Sequence, residues 1–263
     1  MGRCVIDLNV RVSGKGPNLV LIHGWAMGSA VWNDWLDELE ERYQLIRIDL
    51  PGHGDSAHRQ SWTMDELLDS MVAQLPASCY VLGWSLGGMV GLAYANKYAV
   101  RVQGLIMLAS SAKFVQSIAW PHAQPEETLR AFSQGLLENP SATLKRFVML
   151  QTQGLQSPRK ISASLKKSMC KAEVGRLAAL ASGLKVLQHT DLREQLKTLR
   201  CPLLMLLGDK DQLIPVSVGL DSVQYNNSTV LHIIKGASHV PFLSHATETT
   251  QHVCSFFQDK ACI

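Results

Sequence analysis

The sequence predicts an α/β protein: a mostly parallel, twisted sheet with helices on both faces and a helical cap inserted after one of its strands. Three observations carry that expectation. Short apolar runs of β character alternate with helical patterns along most of the chain. A glycine-flanked serine, Gly83-Trp84-Ser85-Leu86-Gly87, stands between one such run and one such pattern. The alternation then lapses over residues 113–190, where the charge balance also changes.

The β-like runs are Leu19–Ile22, Gln44–Ile48, Tyr80–Leu82, Leu105–Leu108, Leu203–Leu207 and Val230–Ile234. Helical patterns lie at about Ala30–Glu41, Met64–Leu75, Leu86–Tyr98, Val216–Tyr225 and Ala246–Phe257. Strands that alternate with helices pair in parallel, because each crossover returns the chain to the same edge of the sheet. An initial segment, Cys4–Val12, alternates in polarity and is expected to form an antiparallel edge hairpin with the first run. From Ala112 to Thr190 the chain offers helical pieces, among them Glu126–Glu138 and Ser141–Gln151, broken by Pro121, Pro125, Pro140, Gly154 and Pro158. The expected organisation is one discontinuous core, residues 1–112 and 191–263, with a cap of residues 113–190 over the C-terminal strand ends, where open α/β sheets bind ligands.

At 263 residues the chain can bury a core without disulfide staples, and its six cysteines show no metal-ligand spacing. The N-terminus has no signal-peptide core, and no apolar stretch is long enough to span a bilayer. The expectation is a cytoplasmic protein with reduced thiols, no metal and no membrane partner. The net charge is only +3, but residues 113–190 hold 11 Lys/Arg and 4 Asp/Glu, a local balance of +7. Nucleic acid is a poor partner for it, because the cap lacks interleaved aromatics and the rest of the chain is acidic.

In a strand-turn-helix context, a G-x-S-x-G motif holds its serine in a strained conformation with the hydroxyl lifted clear of the sheet. Small flanking residues are needed because a Cβ at either glycine would strike a neighbouring element. Ser85 then needs a base and an orienting acid. Asp209 and Asp211 both follow the run Leu203–Leu207, and His239 follows Val230–Ile234, all on the rim that carries Ser85. Seven other histidines (His53, His58, His122, His189, His232, His245 and His252) do not follow the last strand at a turn and read as surface or structural residues. His23 precedes Gly24-Trp25 at the end of the first run and is expected to organise that loop without titrating. The loop is placed to supply one backbone N–H to a developing oxyanion, that of Trp25, beside the N–H of Leu86. The glycine-rich stretch Asp49–Ser56 lacks the lysine of a phosphate loop and reads as a tight structural turn near the site.

In these residues (His23-Gly24, Asp49-Leu50-Pro51-Gly52-His53-Gly54, the elbow, Asp211 and His239) the chain resembles the α/β-hydrolase superfamily. More narrowly it is similar to the pimeloyl-acyl-carrier-protein methyl ester carboxylesterases of biotin synthesis. The similarity lies in Leu21–Trp25, Leu82–Gly88, Leu108–Ser111, Arg146-Phe147 to Leu150–Thr152 with Gly154, Leu165–Lys167, Thr190–Arg193 and His239–Phe242. It implies the α/β-hydrolase fold and a serine esterase without cofactor, a monomer with the triad Ser85, Asp211 and His239. It also implies an acyl pocket lined by Trp25, Ser85, Leu86, Phe147, Val148, Met149, Leu150, Gln151 and His239. The implied partner is acyl carrier protein bearing a methyl-esterified acyl chain. That protein is strongly acidic, and Arg146 and Arg159, with Lys145, Lys160, Lys166 and Lys167, are the cap residues expected to dock it. Ala142 and Ala163 stand where arginines would extend that basic face. Three other readings remain open from sequence: a general esterase for small free esters, a carbon–carbon hydrolase or lyase of the same fold, and a non-catalytic ligand sensor.

Overall fold

Strands of β-branched and leucine-rich sequence pair into one seven-stranded sheet in a computed structural model that describes residues 5–56, 60–170 and 173–258. Met1–Cys4, His58 and Cys262 lie outside the described residues. The strands are β1 (Val10–Gly14), β2 (Asn18–Ile22), β3 (Gln44–Ile48), β4 (Cys79–Trp84), β5 (Val102–Leu108), β6 (Leu203–Gly208) and β7 (Val230–Ile234), in spatial order β1-β3-β2-β4-β5-β6-β7. All neighbours run parallel except β1 and β3. Every residue of β4 and β6 is buried, which requires cover on both faces of the sheet.

Two expectations are corrected. The edge segment forms its strand at Val10–Gly14, and it pairs with β3 rather than with β2, Val10 opposite Ile48 and Gly14 opposite Gln44. The place beside β2 is taken by β3, so the short link from β1 to β2 steps across the start of β3. Gly14 and Gly16 make that step at φ 73° and 122°, against the Glu40, Arg42 and Tyr43 backbone. The helical pattern Ala30–Glu41 is a 3₁₀ segment, Ser29–Trp35, followed by a single α-turn, α1 (Asp37–Glu40). The tighter winding stacks residues three apart, and it brings Trp32 and Trp35 to 5.9 Å from each other and both against Phe242.

The remaining helices of the sheet region are α2 (Met64–Gln74), α3 (Leu86–Lys97), α8 (Arg193–Lys197), α9 (Val216–Tyr225), α10 (Pro241–Ser244) and α11 (Ala246–Gln258). α2 begins on a capping box in which Thr63 and Glu66 satisfy each other's backbone N–H. α3 has no polar stripe, and its residues Leu86–Ala95 are all buried.

Between β5 and β6 lie α4 (Glu126–Glu138), α5 (Pro140–Gln151), α6 (Pro158–Ser168) and α7 (Val174–His189). These helices are tied to the loops at the C-terminal ends of the strands. The Trp25 and Trp62 indoles donate to the α7 carbonyls of Leu180 and Ala179, at 2.8 and 2.9 Å. Ser238 Oγ donates to Gln153 O at 2.7 Å, and Gln124 Nε2 to Gln212 O. Among the described residues no helix is long and apolar enough to cross a membrane.

Candidate active site

β4 ends at Trp84 and α3 starts at Leu86, so Ser85 alone makes the turn between strand and helix. It does so at φ 56°, ψ −119°, a region that L-residues rarely occupy and that the surroundings must impose. Three restraints impose it. Ser85 N donates to Leu108 O at 3.0 Å, Gly88 N donates to Ser85 O at 2.9 Å, and Ser110 Oγ donates to Ser85 O at 2.6 Å. The glycines let the elements close. A Cβ on Gly83 would lie 2.1 Å from Gly87 O, and one on Gly88 would lie 2.4 Å from Ser110 Oγ. Ser110 is a functional neighbour that motif reading does not single out. Its sequence signals are its place just after β5 and its membership of the matching segment Leu108–Ser111.

Asp211, not Asp209, meets His239. Asp211 Oδ2 stands 2.8 Å from His239 Nδ1, with both side chains fully buried. The Leu213 and Ile214 amides donate to the other oxygen, Oδ1, at 2.8 and 3.0 Å. Asp209 instead accepts from Gly236 N at 2.6 Å, tying the β6 turn to the β7 turn. His239 is anchored by its own carbonyl, which accepts from the Trp84 indole at 2.7 Å. Its Nε2 is buried and has no hydrogen-bond partner among the described residues. With Nδ1–H given to Asp211, Nε2 is the basic nitrogen of the ring.

The loop after β2 abuts this elbow. A Cβ on Gly24 would lie 3.2 Å from Ser85 Cβ. Leu86 N is the first amide of α3, an end at which N–H groups lack intrahelical acceptors. The Trp25 amide, one residue beyond Gly24, likewise donates to no acceptor among the described residues. The Trp25 ring is wedged between α5 and α7: it meets Phe147 edge-on at 5.0 Å, and a Cβ on Gly183 would press on it at 2.7 Å. Trp25, Phe114, Leu129, Phe132, Phe147 and Leu213 line a narrow apolar cavity.

α5 divides the residues expected in the acyl pocket by helical period. Phe147, Val148 and Gln151 share the buried face. Met149, by contrast, is 67% exposed and with the half-buried Leu150 lines an outer groove toward α6, so these two do not share that face; of the α5 residues, Phe147 lines the cavity beside Trp25. Gln151 is fully buried, yet neither its Oε1 nor its Nε2 has a partner among the described residues. A buried amide left so is costly unless a water or a ligand satisfies it. Lys145, Arg146, Arg159, Lys160, Lys166 and Lys167 are all exposed on α5 and α6, the Arg146 guanidinium lying over the Phe132 ring at 5.6 Å.

Beneath the loop after β2, His23 and His53 are both fully buried, with ring centres 5.3 Å apart. Leu50 N donates to His23 Nε2, so Nδ1 carries the proton and donates to Gly24 O at 2.7 Å. Asp49 accepts from Asn9 Nδ2 and from the Ser29 and Asp55 amides, which closes the glycine-rich turn around it. Burial pushes the His53 imidazole down to about 3 and lowers His23 as well. In the unfolded chain both titrate near 6.5, so as the pH falls below that value the unfolded state takes up protons the fold excludes. Stability is therefore expected to decline from pH 6.5 downward, by up to about 1.4 kcal/mol per pH unit for each histidine. Urea midpoints at pH 7.5, 6.5 and 5.5 measure this; a midpoint constant over that range would contradict it.

Among the described residues no cluster of three or more His, Cys, Asp or Glu is arranged to hold a metal. The alpha/beta hydrolase fold family matches residues 17–246. A pimeloyl-acyl-carrier-protein methyl ester esterase of Vibrio atlanticus is 37% identical over 250 residues, 94% of this chain and 96% of that protein. Its counterpart of the same name in Methylococcus capsulatus is 34% identical over 251 residues, 95% and 98% of the two chains. Among solved structures, an esterase from Exiguobacterium antarcticum superposes with a TM-score of 0.86 at 21% identity, covering 95% of each chain. A bromoperoxidase from Bacillus anthracis superposes at 0.87 with the same identity, covering 96% of each. Likeness at that identity speaks for the fold alone.

Proposed function

The chain belongs to the alpha/beta hydrolase family, among the pimeloyl-acyl-carrier-protein methyl ester esterases, and from that premise we propose that it hydrolyses the methyl ester of pimeloyl-acyl carrier protein in biotin synthesis. The products are pimeloyl-acyl carrier protein and methanol. The observation that carries this reading is the 37% identity over an aligned length of 250 residues, 94% of this chain, a span that takes in helices between β5 and β6 as well as the sheet.

In the proposed reaction Ser85 Oγ attacks the ester carbonyl carbon and gives its proton to His239 Nε2. Asp211 holds the ring in the tautomer that leaves Nε2 free and stabilises the imidazolium that forms. The Trp25 and Leu86 amides hold the oxyanion. As the tetrahedral intermediate collapses, the bond to the methoxy oxygen breaks and methanol leaves with the proton from His239. Water, deprotonated by the same nitrogen, then clears the acyl-enzyme and restores Ser85. The Asp211 Oδ2 contact with His239 Nδ1 at 2.8 Å, which leaves Nε2 as the free ring nitrogen, supports this assignment.

Residues 113–190 act in this reading as a cap on the core formed by residues 1–112 and 191–263. Phe147 and Val148 supply its apolar lining. Gln151, its amide unsatisfied, offers the acyl chain a polar contact. The exposed cations of α5 and α6 receive the acidic carrier protein. The enzyme works as a cytoplasmic monomer and needs no cofactor, since nucleophile, base, oxyanion donors and water suffice.

The test compares carrier-bound pimeloyl methyl ester with free methyl pimelate at low and high salt. A kcat/KM preference for the carrier-bound ester that shrinks as salt rises is expected, because exposed charges are screened. Equal and salt-insensitive rates would reduce the protein to an esterase of small free esters.

A further inference from the structure

The carboxylate that faces His239 is held by two backbone amides, and both of those peptide groups are held in turn by a single side chain from outside the sheet. Gln124 Nε2 donates to Gln212 O at 2.7 Å and to Leu213 O at 2.9 Å. The first carbonyl belongs to the peptide whose N–H, on Leu213, donates to Asp211 Oδ1, and the second to the peptide whose N–H, on Ile214, does the same. A peptide group is planar and rigid, so fixing its oxygen fixes the direction of its N–H. Hydrogen bonds in series also polarise one another. Two parallel relays thus run from one amide nitrogen, through two peptides, to one carboxylate oxygen. Both contacts are to carbonyl oxygens, so only the NH₂ end of Gln124 can make them.

Gln124 is itself fixed. Its N–H donates to Phe114 O at 3.0 Å, and its carbonyl accepts from Gln116 N at 2.9 Å. The segment that carries it is pinned to the sheet region by the His122–Asp221 pair at 2.8 Å and by the Trp120 ring against Tyr225. Gln124 stands just before α4, so it braces the Asp211 turn from the start of the helical segment.

We propose that Gln124 is a positioning residue for Asp211: its amide clamps the 211–214 turn so that Oδ2 stays within hydrogen-bond reach of His239. The assignment rests on Asp211 serving as the acid of the triad. Without the clamp the turn samples other peptide orientations and the chemical step slows; because Leu213 of this turn also lines the apolar cavity, the effect is read on a short-chain ester.

The experiment compares Gln124→Met, which keeps the length but has no donor, with Gln124→Lys, whose ammonium can donate to both carbonyls. Both are assayed with a short-chain p-nitrophenyl ester. For Gln124→Met we expect kcat to fall about tenfold with KM within twofold, short of the ~100-fold that a 1 Å misplacement can cost. Gln124→Lys is expected to restore most of kcat. Asp211→Asn, measured alongside, separates the two layers of the argument. If Asp211→Asn keeps its turnover, the acid is misassigned and the role of Gln124 falls with it. If Asp211→Asn is inactive while Gln124→Met keeps full kcat, the clamp alone is overturned. A Gln124→Met loss that Gln124→Lys does not repair, or that appears in KM, also overturns it.

Discussion

Replacing Ser85 with alanine is expected to abolish ester turnover, lowering kcat by at least about 10⁴-fold, as removal of the nucleophile from such a triad does. The fold should survive, because the elbow is held by backbone and by neighbours. The restraints on Ser85 run through its N–H and C=O, to Leu108, Gly88 and Ser110, and alanine keeps both groups. Alanine also keeps the strained φ of 56°, so no gain in stability should accompany the loss of activity. Steady-state kinetics on a methyl ester and a thermal melt read the two effects separately. Labelling of the parent protein by a fluorophosphonate, absent in the variant, identifies the reactive hydroxyl. Turnover retained by Ser85→Ala would mean that the nucleophile lies elsewhere.

A large loss of stability is expected from Gly87→Ala. An added Cβ would lie 2.1 Å from Ile22 O, 2.6 Å from Ile22 C and 2.7 Å from His23 O. All three atoms are backbone at the end of β2, so no side chain can yield; α3 would have to lift from the sheet. Such a clash places the variant among the rare substitutions that cost more than about 4 kcal/mol. In a protein of this size that corresponds to a melting temperature lower by roughly 10 °C or more. Gly104→Ala is the matched control, since its Cβ would meet Tyr80 Cδ1 at 3.4 Å, an ordinary contact. Soluble yield and thermal melting of the two variants decide the matter. A Gly87→Ala protein that melts like the parent would refute the close approach of α3 to β2.

The elbow was legible in the sequence because its requirements are local: an apolar strand, a serine, small residues on each side and a helix without a polar stripe. For the same reason the runs that became β2 to β7, and the helices from α2 to α5, could be read within a few residues of their ends. Their signals are periodicity and punctuation, which need no knowledge of the rest of the chain. The likeness to the esterases was legible too, through short matching segments spread from Leu21 to Phe242.

Other features depend on which distant groups meet. Asp209 and Asp211 are two residues apart on one turn and equally suited by type. What separates them is that the Leu213 and Ile214 amides turn Asp211 toward His239, while Gly236 takes Asp209. β1 was readable as an edge strand, but its partner was not, because β3 must first take the place beside β2. Met149 and Gln151 are near neighbours in a matching segment, and only the packing of α5 turns one outward and buries the other unsatisfied. Gln124 carries no motif at all. By itself, then, the sequence determined the fold class, the order of elements, the serine elbow and the basic character of residues 113–190, since each is a property of neighbours along the chain. The tertiary structure alone decided which amides turn Asp211 toward His239 and which residues of α5 turn inward, because those contacts depend on how the folded chain packs.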